Sequence, residues 1–283
     1  MSASGIADNS LVKRVVVGIF FAPLLVWFFR RGGYPFFAFV VFLTAFGQWE
    51  LFRMLHDRLR FVHRLAGFIS GMLIIIGTYI MTFNVITGII IAFLVFIYVV
   101  EIVTGKEHRL ENIVLSLFVT VYPALFIACM LKLSLVPDVT ESIQGRYILL
   151  FMLFVIWIFD TLSYFSGRLF GKHSFFQSIS PKKTVEGFCG GIAGVIVFAV
   201  GTGIYAGKEL LLHAIVFAVL VALAGQAGDL SVSIIKRDRG VKDSSNLIPG
   251  HGGILDRFDS LIFASPVAYA YVLLVIRFSG GNY

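Results

Sequence analysis

Val85–Val100 reads VITGIIIAFLVFIYVV, a run with no ionisable side chain and no alternation of apolar and polar residues. A chain that enters hydrocarbon must satisfy its backbone hydrogen bonds within itself, so it crosses as a helix or as part of a closed barrel. A barrel strand would alternate its two faces, and this run does not. The stretch therefore predicts a membrane-spanning helix. Comparable runs recur from one end of the chain to the other, at about the 20 residues that a spanning helix needs. The hydropathy pattern predicts nine spans, near 13–29, 35–55, 65–83, 85–101, 113–136, 147–169, 187–207, 210–235 and 260–278. The expected class is all-α, a polytopic helical bundle. It is organised as N-terminal spans over 1–145 and a C-terminal catalytic region over 146–283 that carries two polar loops.

Composition agrees with a protein that has lipid as part of its solvent. Of the 283 residues, 58% are hydrophobic and 14% charged, against about 45–50% and about 25% in soluble domains. The first apolar run follows Lys13 and Arg14 and leads into Arg30 and Arg31 with no small-residue cleavage site, so it is expected to be a retained span. Cys129 and Cys189 lie in different apolar segments, which excludes a disulfide framework or a cysteine metal cluster as the organising feature.

The net charge of +7 is distributed in a way that fits a bilayer and not nucleic acid. With nine spans, only Arg30, Arg31, Lys132, Arg146, Lys208 and Arg277 fall opposite the N-terminal arm; the other seventeen of the 23 lysines and arginines share its side. The positive-inside rule then places the N-terminus and the polar loops in the cytoplasm. In a bacterium the membrane would be the inner one.

Two of those loops, Gly171–Glu186 and Lys236–Asp259, are long and rich in residues that handle phosphate or metal. On a continuous helix Asp229, Ser233 and Lys236 share one face. Asp229 sits in the apolar stretch LAGQAGDLSVSII, where a lone carboxylate at the bilayer centre costs about 2.5–3.5 kcal/mol on insertion scales. Such a residue faces the bundle interior and serves a purpose, or else pairs with Lys236 at the interface. Both readings stay open at this point. After it, Lys236, Arg237, Arg239, Lys242 and Arg257 alternate with Asp238, Asp243, Asp256 and Asp259. Carboxylates of this kind hold a divalent cation, and interleaved cations neutralise phosphate oxygens; the competing reading is a salt-bridged surface loop. Pro249-Gly250-His251-Gly252-Gly253 permits close backbone approach just before Asp256 and Asp259. Asp160, Ser163, Tyr164 and Gly167 form a polar stripe that leads toward Ser180, Lys183 and Thr184, a phosphate cradle or a helix cap. The spaced glycines Gly187/Gly191 and Gly190/Gly194 read as helix packing. Glu50 and Glu101 sit near helix ends with no assigned role.

The run from Ser233-Ile234-Ile235-Lys236-Arg237 through Lys242-Asp243 to Pro249-Gly250-His251-Gly252-Gly253-Ile254-Leu255-Asp256-Arg257-Phe258-Asp259 resembles the signature of CDP-diacylglycerol synthases, also called phosphatidate cytidylyltransferases. Asp160, Ser163, Tyr164 and Gly167, with Ser180, Pro181, Lys183, Thr184, Glu186 and Gly187, resemble a second block of that family, in which Ala is frequent at the position of Ser163. The likeness covers about 150–275 well, and the N-terminal half only as a set of spans. It implies an integral membrane enzyme that joins CTP to phosphatidic acid, giving CDP-diacylglycerol and pyrophosphate with Mg²⁺. It further implies a homodimer with a polar cavity open to cytoplasm and lipid, and a monovalent cation such as K⁺ beside the Mg²⁺. The family's metal carboxylates fall on Asp229 and Asp256. Beside them, Lys236, Arg237, Lys242, Asp243, Arg257 and Asp259 are expected to be catalytic, and Ser180, Lys183, Thr184, Ser233, His251, Gly252, Gly253, Asp160 and Tyr164 to bind substrate or phosphate. The rival readings are a CTP-dependent polyprenol or dolichol kinase, a transporter, and a lipid-binding scaffold. No nucleic-acid partner is expected.

Overall fold

A computed structural model of the chain describes residues 19–55, 61–80, 83–104, 107–136, 145–177, 179–247 and 252–278. Nine helices occur among them: α1 (residues 19–31), α2 (Gly33–Met54), α3 (Phe61–Ile80), α4 (Phe83–Thr104), α5 (Arg109–Ser134), α6 (Gly145–Phe170), α7 (Val185–Ala206), α8 (Leu211–Asp238) and α9 (Leu255–Phe278). Eight of these, α2 to α9, are long and apolar enough to cross a membrane. The protein is a multi-pass integral membrane protein of the all-α class. Helices α1 and α2 are separated by one residue, and the turn uses Gly32 (φ 61°) and Gly33 (φ 54°), a backbone region where glycine avoids the steric cost of a Cβ.

The described residues fall into two compact units. One lies within Met1–Lys132 and Arg239–Arg257, the other within Leu133–Asp238 and Phe258–Tyr283.

In the first unit, helices α3, α4 and α5 share a core of Phe93, Ile97 and Ile113 with Ala66, Leu94 and Leu117 against it. Several polar side chains inside this bundle pair with groups on neighbouring helices. The Gln48 amide donates to the carbonyls of Gly67 and Thr120 at 3.4 and 3.3 Å, joining α2, α3 and α5. Glu101, which the sequence left without a role, is a buried internal tie: its carboxylate lies 3.2 Å from His63 Nε2 and accepts from the Asn112 amide at 3.2 Å.

In the second unit, α6 and α7 pack at the spaced glycines. A Cβ at Gly187 would meet the Ser163 carbonyl and Gly167; at Gly191 it would meet Ser163 and Phe159. Backbone proximity, and not chemistry, explains these glycines. Helices α8 and α9 approach in the same way at Gly228, whose missing side chain makes room for the Asp259 carbonyl and Phe263.

The segment Gly171–Glu186, expected to be an irregular loop, is partly a hairpin. Strands β1 (Ser174–Phe176) and β2 (Ser180–Thr184) pair antiparallel, Ser174 opposite Thr184 and Phe176 opposite Ser180. An isolated two-stranded hairpin is marginal in water, and here α7 supports it. Glu186 accepts from the backbone N–H groups of Lys172 and His173 at 3.1 and 3.3 Å and lies 2.6 Å from His173 Nδ1. Phe175 stacks on Phe188 of α7, with ring centroids 5.0 Å apart.

Candidate active site

Helices α8 and α9 extend past the boundaries that hydropathy predicted. Helix α8 continues to Asp238, so Lys236 belongs to its last turns, and α9 begins at Leu255, so Asp256 and Asp259 both lie in its first turns.

In the second unit, three aspartates from three helices gather about two lysines. Lys183, at the end of β2, donates to the Asp229 carboxylate in α8; the two side chains are 28% and 35% exposed. Asp229 thus has a lysine partner on a different element of the fold. Asp160 of α6 lies within Coulombic reach of both Lys183 and Asp229. Asp259 of α9, almost fully buried, feels Asp229, Asp160 and Lys236, and its Oδ1 accepts from the Ser260 N–H at 2.7 Å. Hard carboxylate oxygens gathered beside lysines suit a divalent cation, whose attraction is strongest where water is scarce.

The other predicted residues of this unit differ in burial and in their partners. Thr184 caps α7, its hydroxyl accepting from the Gly187 N–H at 3.1 Å. Tyr164 is exposed, and its hydroxyl accepts from Arg168 at 3.3 Å. Ser233 and Lys236 are buried on α8, Ser180 and Lys183 are partly buried, and Arg237 is exposed.

The first unit holds the remaining residues. Asp256 does more than stand at a helix start: its Oδ2 accepts from the Ser244 N–H at 2.8 Å, the Ser244 hydroxyl at 3.0 Å and the Gly253 N–H at 3.1 Å. Gly252 has φ +82°, and a Cβ there would press on the Asp256 carboxylate at 3.1 Å. At Gly253 a Cβ would collide with the Ser244 hydroxyl and with both oxygens of Glu50. The paired glycines thus have two distinct physical reasons, one conformational and one of space. Lys242, Asp243 and Arg257 are exposed. His251 lies outside the described residues.

No three His, Cys, Asp or Glu side chains form a ready-made metal cage among the described residues. Mg²⁺ does not require one, since it is commonly held by one or two carboxylates, with water and substrate phosphate supplying the rest. The donors present are hard carboxylate oxygens beside lysines, and they fit that ion by chemistry and by charge.

A profile of the cytidylyltransferase family matches residues 12–275. The chain belongs to the cytidylyltransferase family. Similar curated proteins include the phosphatidate cytidylyltransferases of Aquifex aeolicus, 41% identical over 58% of this chain and 59% of the relative, and of Haemophilus influenzae, 37% identical over 56% of each. That of Bacillus subtilis is 44% identical over 42% of this chain and 45% of the relative. The chain thus spans about half the length of the curated relatives it matches. In this member of the family, one residue that sequence reasoning passed over stands out: Glu50, fully buried, takes hydrogen bonds from the N–H groups of Ile254 and Leu255. Its signal in the sequence was only a carboxylate in an apolar helix.

Proposed function

We propose that the protein is a phosphatidate cytidylyltransferase, which converts CTP and phosphatidic acid to CDP-diacylglycerol and pyrophosphate. The observation that carries this reading is the Lys183–Asp229 pair with Asp160 and Asp259 beside it, in a chain of the cytidylyltransferase family. Carboxylates that can hold a divalent cation, beside lysines that can meet phosphate oxygens, suit two phosphate-bearing reactants.

In the proposed reaction an oxygen of the lipid phosphate forms a bond to the α-phosphorus of CTP. The bond from that phosphorus to the bridging oxygen breaks in line, and pyrophosphate departs. A phosphate monoester has a second pKa of about 6 and is largely ionised at pH 7, so no side chain has to remove a proton. His251 is accordingly assigned to binding. The chain's task is alignment and charge neutralisation. Lys183 exchanges Asp229 for a substrate phosphate, while Lys236, Arg237, Lys242 and Arg257 meet the remaining phosphate oxygens. Ser180 and Ser233, with Tyr164 and Asp160, orient the substrates. Asp229 and Asp256 are the proposed Mg²⁺ ligands, with Asp259 and Asp243 as orienters; when bound, the ion offsets the charge that develops on the transferring phosphate. A monovalent cation such as K⁺, a homodimer and a cytoplasm-facing site are part of the same proposal.

Purified protein incubated with labelled CTP, phosphatidic acid and Mg²⁺ tests it. Pyrophosphate and a nucleotide-bearing lipid are the expected products. CDP and a newly phosphorylated lipid would replace this reading with a kinase.

A further inference from the structure

Four donors converge on one carboxylate in the first unit. Glu50, on the last turns of α2 and with no exposed surface, accepts from the Ser244 hydroxyl at 2.8 Å and the Ser245 hydroxyl at 2.5 Å. It also accepts from the Ile254 and Leu255 N–H groups, at 2.8 and 2.7 Å. The two amides open helix α9, where unsatisfied N–H groups and the helix dipole favour a negative charge. The donors come from about two hundred residues further along the chain, so their convergence is purely tertiary.

Ser244 connects this carboxylate with a second one. Its hydroxyl lies 2.8 Å from Glu50 and 3.0 Å from Asp256, and with a single proton it donates to one of them at a time. Its backbone N–H is committed to Asp256. Gly253 completes the linkage, its N–H on Asp256 and its bare Cα against Glu50. Ser244, which donates to Asp256 Oδ2, is thus itself tied to Glu50, and Gly253, which also donates to it, lies against Glu50.

We propose that Glu50 is a positioning residue for Asp256: it holds Ser244, Ser245, Ile254 and Leu255, and through Ser244 and Gly253 it sets the orientation of the carboxylate assigned to the divalent cation. This rests on the metal assignment made under Proposed function. Ligating carboxylates are typically oriented by such outer partners, whose loss costs about 10–100-fold in metal affinity.

Glu50→Gln keeps the volume but offers one acceptor oxygen to four donors. Full-length protein in nanodiscs would be titrated with Mn²⁺ by electron paramagnetic resonance, beside measurement of the Mg²⁺ concentration giving half-maximal turnover. Glu50→Gln is expected to weaken Mn²⁺ binding about tenfold and to raise the Mg²⁺ requirement in parallel, with turnover recovering at high Mg²⁺. The amides of Gly253, Ile254 and Leu255 should exchange faster with deuterium. Wild-type Mn²⁺ affinity and Mg²⁺ requirement in a folded Glu50→Gln would overturn the proposal. If that variant does not fold, Ser244→Ala decides: Mn²⁺ binding weakened about tenfold supports it, and no change overturns it. Wild-type protein that binds no Mn²⁺ would defeat the metal assignment itself, an outcome distinct from a wild type that binds and a Glu50→Gln that binds equally well.

Discussion

Lys183 of the short hairpin donates a hydrogen bond to Asp229 of α8, 46 residues further along the chain. The hairpin is anchored on α7 by Glu186 and Phe175, and α8 packs beside it, so the pair is held by two independent elements. Each member satisfies the other without substrate, which keeps an acid and a base stable in a mostly apolar bundle.

Lys183→Ala should separate binding from stability. Both side chains are about a third exposed, so loss of the pair is expected to cost about 1 kcal/mol in stability. The KM for CTP should rise at least about tenfold, about 1.4 kcal/mol of lost interaction. Thermal unfolding measured beside steady-state kinetics checks both values; an unchanged KM would remove Lys183 from the substrate site.

Asp256→Asn keeps an acceptor oxygen for the N–H groups of Ser244 and Gly253, and the variant is expected to insert and fold. Its CTP-dependent turnover should fall about 10–100-fold, since a neutral amide lacks the negative charge by which a carboxylate holds Mg²⁺. Near-normal turnover would overturn the metal role.

Gly253→Ala introduces a methyl group against Glu50 and Ser244 where no space exists. Overpacking of this kind costs about 1–3 kcal/mol, and the expected result is a lower melting temperature with faster amide exchange at Ile254 and Leu255. Unchanged exchange there would show that the segment accommodates the methyl group.

Thr184 caps α7 through its hydroxyl. Thr184→Ala should destabilise the protein by about 1 kcal/mol, whereas Thr184→Ser keeps the acceptor and should be close to neutral. Thermal unfolding of the two variants distinguishes this cap from a residue whose value lies only in contacting phosphate: there, both variants would melt like the wild type.

Much of the architecture was legible in the residues because lipid leaves the backbone so few choices. A run such as Val85–Val100 has to close its hydrogen bonds locally, so its helix follows from composition alone, and the structure places it within α4. The small-residue spacing Gly187/Gly191 was readable for a similar reason: close approach of two helices needs small side chains at intervals of one turn, and α6 and α7 meet there. The starts of α7 and α9 were less legible. Polar residues such as Lys183 and Asp256 lower hydropathy whether they stand in a strand, a helix turn or a loop.

Local order, membrane insertion and the motif of the glycine-rich segment were therefore properties of the amino-acid sequence itself. Which charges meet was decided only by the tertiary structure: that Asp229 answers Lys183, that Glu101 meets His63, and that Glu50 holds Ser244, Ile254 and Leu255. Period and propensity act over a few residues, whereas these partners lie tens to about two hundred positions apart. They find each other because a carboxylate buried away from water must be answered by whatever donors the packed helices bring to it.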